Sequence, residues 1–81
     1  MIDKNELLTN ITILLKLAND RNMQQGVIVY KGAIEKISQA KSQEEIFICW
    51  DKLKHALVGI EAHGYLTNKE FEIVKNIRLM G

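Results

Sequence analysis

The chain contains no proline and only five glycines among 81 residues. These two residues are the strongest helix breakers, so little interrupts a run of helices. A single cysteine excludes an intramolecular disulfide framework and suits a reducing compartment. Charge of one sign is also lacking: 11 Lys and Arg face 10 Asp and Glu, for a net +1. Residues 1–41 hold six basic and four acidic groups and residues 42–81 hold five and six, so neither half has the basic excess of a dedicated nucleic-acid binder. No apolar run approaches the roughly 18 residues of a membrane-spanning helix. Met1–Glu6 is polar, unlike the basic and then apolar start of a signal peptide. The expected location is therefore the cytoplasm.

What is present is apolar content of 47%, enough for the chain to fold. Its length makes residues 1–81 one domain. The only Trp, one of two Phe, the only Cys and both His lie between Ser42 and Gly64. Ser42 and Glu45 have capping-box spacing, and Glu44 and Glu45 put negative charge where a helix dipole favours it. Ile46, Cys49, Trp50, Leu53, Ala56, Leu57 and Ile60 then recur as a core-facing stripe. Gly64 supplies the left-handed residue common past a helix end. Phe47, Ile48 and Val58 fall off the stripe. At about 100° per residue, Phe47 and Val58 share a direction, with Asp51 and Lys54 beside them. They are either covered by another helix or exposed as a partner-binding patch.

Asp3 and Glu6 give an earlier start signal. Leu7, Leu8, Ile11, Ile13, Leu14, Leu15, Leu17 and Ala18 follow, covering more than half the circumference of a helix. A surface helix needs an apolar face a little over 100° wide. The first helix is therefore central in the bundle or shared with a second copy. Only Lys4 and Lys16 offer positive charge to a membrane surface, which argues against a helix lying on one. Asn22 and Gln25 read as a weaker cap. Val27–Tyr30 is rich in strand formers, yet Val27, Tyr30, Ala33, Ile34, Ile37 and Ala40 keep a helical period and no pairing strand is evident. Gly26 and Gly32 each cost such a helix about 1 kcal/mol relative to Ala and point to close approach by a neighbour. Thr67 and Glu70 form the last cap, followed by Phe71, Ile73, Val74 and Ile77. The expected fold is all-α, a compact antiparallel bundle of four helices spanning about 4–20, 23–40, 43–63 and 68–79.

Chemistry-bearing motifs are few. Gly64–Phe71 has the outline of the second half of an EF-hand loop, but Gly59 then stands where the first ligand belongs and His63 where the fifth does. A helix stop followed by a capped start accounts for every one of those residues. His55 and His63, eight residues apart, are too far along one helix to share a zinc ion. Cys49 lies on the apolar stripe, the place of an inert core thiol. Glu44, Glu45, Glu70 and Glu72 are accounted for by caps and solvated faces. There is no phosphate-binding loop and no His-Glu zinc motif. No catalytic residue, cofactor or metal is expected.

Leu66–Thr67 with Glu70, Val74 and Gly81 resembles the opening helix of LuxR-type helix-turn-helix domains. Major-groove reading needs a second, recognition helix, and the resemblance stops at Gly81. In layout alone, the chain resembles the small four-helix immunity proteins that protect producers of antimicrobial peptides. That resemblance implies a cytoplasmic protein that acts by binding. Usage of Lys, Ile and Asn points to a bacterial or phage source.

The expected function is a non-enzymatic interaction or regulatory protein: an inhibitor, an immunity factor or an accessory subunit. Its partner is another protein or a second copy of itself. The candidate partner-binding residues are Phe47, Asp51, Lys54 and Val58. The alternative is a nucleic-acid-binding regulator using Lys31, Lys36 and Lys41 as one basic edge and Lys52 and Lys54 as another. Near-neutral charge argues against it, because phosphate contacts supply most non-specific affinity.

Overall fold

Four helices follow one another through short links in the computed structural model of Met1–Gly81: α1 (Lys4–Asp20), α2 (Gln24–Gln39), α3 (Gln43–Ala62) and α4 (Asn68–Arg78). Each start and stop lies within about a residue of the sequence expectation. Val27–Tyr30 is helical, which resolves that ambiguity in favour of the unbroken apolar period. The side chains of Asp3, Ser42 and Thr67 accept from the amides of Glu6, Glu45 and Glu70 respectively. At Thr67 the capping box is complete, with Glu70 accepting from the Thr67 amide. At Ser42 it is not: Glu45 reaches one residue further and accepts from the Lys41 amide at 2.7 Å.

Asn22 is not a cap at the start of α2. It takes φ +57°, and the amides of Asn22 and Met23 donate to the carbonyls of Asn19 and Ala18. This is the Schellman stop of α1, with Asn in the left-handed position. Met23 then begins α2 with no side-chain cap. The same motif ends α3, where Gly64 has φ +72° and the amides of Gly64 and Tyr65 donate to Glu61 and Ile60.

The core comprises Leu7, Ile11, Leu14 and Ala18 from α1, Tyr30 and Ile37 from α2, Ile46, Trp50, Leu53, Leu57 and Ile60 from α3, and Val74 and Ile77 from α4. α1 packs on both α2 and α4, and α3 closes the ring against α2 and, more lightly, α4. That position accounts for the wide apolar face of α1. Leu8 and Leu15 are partly buried against the core, and of the large apolar residues on α1 Ile13 alone is exposed. Neighbouring helices run antiparallel. Lys4 at the start of α1 donates to the carbonyls of Ser38 and Ala40 at the end of α2, and Arg21 just past α1 reaches the start of α4.

One end of the bundle is closed by charge. Glu70 is 1% exposed. Its carboxylate accepts two hydrogen bonds from Arg21, at 2.7 and 3.2 Å, and one from the Thr67 amide at 2.9 Å. Arg21 also donates to the Tyr65 carbonyl at 2.6 Å. Glu70 is thus more than the cap expected from sequence: its cap partner was legible, but its ion partner lies 49 residues away. Tyr30 is buried beside this pair, and its phenol is pushed up from 10.0 to about 12. Burial is the main cause, the Glu70 carboxylate adds to it, and the Arg21 guanidinium partly opposes it.

Candidate partner-binding surfaces on the third helix

α3 buries a narrow stripe and exposes apolar side chains on both flanks. On the flank toward α4, Phe47 is 52% and Val58 59% exposed. The reading in which a fourth helix covers them is therefore wrong for this fold. α4 has 11 residues against 20 in α3, roughly 16 Å against 30 Å, and it packs mainly on α1. It ties to α3 at two points: the Trp50 indole donates to the Ile77 carbonyl at 2.8 Å, and Arg78 pairs with Glu61 at 2.7 Å.

Much of this flank is occupied by its own contacts. The Phe47 ring leans on Trp50, with centroids 5.4 Å apart. Lys54 Nζ sits 3.8 Å from the Trp50 ring centroid, the geometry of a cation–π contact. Asp51 is half-buried and faces His55, whose Nδ1 is 2.8 Å from the Asp51 carbonyl oxygen and 3.7 Å from its carboxylate. Of the four sequence candidates, Phe47 and Lys54 thus meet at Trp50, Asp51 turns to His55, and Val58 stands with Lys54, His55 and Arg78 around a shallow depression.

The other flank was missed from sequence. Between α2 and α3 runs a groove with two adjoining cavities, of about 300 and 590 Å³. Val29 and Ala56 line both. The first is floored by Gly32, Ala33 and Cys49 and carries Ile28 and the two lysines Lys36 and Lys52. Ile28 is 68% exposed, and Ile48, beside Lys36 and Lys52 at the upper end, is 48% exposed. Cys49 and Ala56, expected in the core, are half-buried along this groove instead. Their rotation on α3 places them at the edge of the stripe, where they line the groove together with Gly32 and Ala33 of α2.

The glycines of α2 differ in role. A Cβ on Gly26 would lie 3.2 Å from the Ala18 Cβ and 3.1 Å from the Tyr30 ring, so Gly26 does permit close approach of α1. A Cβ on Gly32 would meet nothing within 4 Å, and neither would one on Gly59 of α3. The close-approach expectation fails for Gly32, which faces open groove. A legible signal existed: at about 100° per residue, positions six apart point roughly 120° apart and so face different neighbours.

The basic edges are also rearranged. Lys52 joins Lys36 at the groove, whereas Lys54 turns to Trp50 on the opposite flank. His55 and His63 part as well, His63 stacking on Tyr65 at 5.5 Å. No three His, Cys, Asp or Glu side chains converge as a metal site, and no helix is long and apolar enough to cross a membrane. No protein-family model matches the chain, and no curated protein or solved structure matches it either.

Proposed function

We propose that this protein is a non-enzymatic interaction partner: a small helical regulator, inhibitor, immunity factor or accessory subunit that works in the cytoplasm by binding another protein. The observation that carries the reading is α3, which exposes Phe47, Ile48 and Val58 on two flanks of one buried stripe. Ile28 of α2 adds a fourth large apolar side chain beside it. Exposed apolar groups gathered along one element mark interaction surfaces more than scattered ones do. The single cysteine suits a reducing compartment.

A partner of different sequence is favoured over a second copy. The surplus apolar face of α1, which suggested a homodimer, is taken up by α2 and α4 except at Ile13. The test is affinity capture from an extract of the source cells with the tagged protein, compared with Phe47→Ser/Val58→Ser and Ile28→Ser/Ile48→Ser variants. A discrete protein retained by the wild type and lost from one variant is the expected result. Retention of no protein, or retention indifferent to both variants, would overturn the proposal.

A further inference from the structure

We infer that the α2–α3 groove is the docking site, and that its occupant is an amphipathic, acidic helix of the partner protein. This inference rests on the interaction reading above and adds the surface and the chemistry of the partner.

The floor argues for large apolar anchors. Gly32, Ala33, Cys49 and Ala56 leave depth between the two helices, and the place a Gly32 Cβ would take is empty. A helix-interior glycine costs about 1 kcal/mol relative to Ala, and Gly32 gains no packing within the chain in return. Ile28 and Ile48 stand exposed beside this floor. Leu- or Phe-sized side chains from outside fill such a space and cover both.

The rim argues for carboxylates. Lys36 and Lys52 both border the groove, and neither takes part in an ion pair. No acidic side chain lines the Ile28–Ala56 section. At the upper end the nearby carboxylate, Glu45, accepts from the Lys41 amide. Glu or Asp beside the anchors of an incoming helix meets both cations.

The groove also selects the form of its occupant. An apolar floor cannot satisfy the backbone of an extended peptide, and an all-helical fold has no sheet edge to offer it. A helix satisfies its own backbone and lays one apolar stripe into a groove between helices. A second copy does not fit by this face, since two concave grooves leave each other's floor empty. The Phe47 flank is the weaker candidate, because Phe47 and Lys54 already cover Trp50.

The test is selection from a displayed library of single helices about 20 residues long, roughly 30 Å, with a fixed apolar stripe and randomised flanking positions. Selected helices are expected to carry Glu or Asp beside the stripe. Their affinity should fall by about tenfold or more on Gly32→Leu, which fills the floor. Lys36→Glu and Lys52→Glu should each cost about two- to fivefold, less at high salt. A circular-dichroism melt of Gly32→Leu, expected to match or exceed the wild type, separates lost docking from lost folding. Helices that bind Gly32→Leu undiminished but are lost on Phe47→Ala/Val58→Ala would overturn the groove and leave the interaction reading standing. Recovery of no helix would overturn the groove as well, and a blank capture from source extract would overturn the reading beneath it. Retention of DNA that depends on Lys36 and Lys52 but not on Gly32 would replace the helix with a nucleic acid.

Discussion

Two seams of α2 show how one residue type serves opposite ends. Along α1, Gly26 lets the helices close until an added Cβ would press on the Ala18 Cβ at 3.2 Å and on the Tyr30 ring at 3.1 Å. The Arg21–Glu70 pair seals that end of the bundle beside Tyr30. Along α3, Gly32 faces open space between exposed Ile28 and two unpaired lysines. The first glycine serves packing inside the chain and the second leaves room for something outside it. Stability should therefore reside in the α1 seam and binding in the α3 seam.

The sharpest way to break the sealed side is Arg21→Ala. It leaves Glu70 buried without its cation, and loss of one partner of a buried pair costs about 3 kcal/mol. Urea unfolding should show this as a lower midpoint with an unchanged slope. A smaller loss is expected from Gly26→Leu, which drives a side chain into Ala18 and Tyr30. Overpacking of this kind costs about 2 kcal/mol net of the helix-propensity gain. A midpoint equal to wild type would mean that α1 and α2 do not close as described.

High pH probes the same seam. The Tyr30 phenol has a folded pKa of about 12 against an ordinary 10.0, so the folded state holds the proton more tightly. Its contribution is whole below pH 10 and is lost as pH rises toward 12, by at most about 1.4 kcal/mol per pH unit. Phenolate absorbance in a Tyr65→Phe variant, where Tyr30 is the only tyrosine, should rise late and together with unfolding. Ionisation near the ordinary value in the folded state would contradict the buried placement.

The smallest effect has the opposite sign and sharpens the contrast most. Gly32→Leu should leave stability unchanged or raise it by up to about 1 kcal/mol, because Leu is the better helix former and meets open space. A loss as large as that of Gly26→Leu would show that the groove is packed in solution.

How far the sequence was legible follows from the range of the interactions. Helix limits were readable because caps are local: Asp3, Ser42 and Thr67 each act on an amide three residues on. Asn22 was misassigned because Asn suits both a helix start and the left-handed stop of the preceding helix. Glu70 passed for a cap alone because Arg21 is distant in the chain. The candidate surface was half legible. The shared direction of Phe47 and Val58 was sound, and their exposure followed once α4 proved short. The groove escaped because Cys49 and Ala56 satisfy the stripe of α3, and only the small residues that α2 sets opposite them turn that edge into open space.

The most direct test of the division between the seams is retention of the partner protein by Gly32→Leu relative to wild type, at matched amounts of folded protein. Docking in the groove predicts that retention falls by about tenfold or more while the fold is kept. Undiminished retention by a folded Gly32→Leu protein would contradict it and move the binding surface away from the groove.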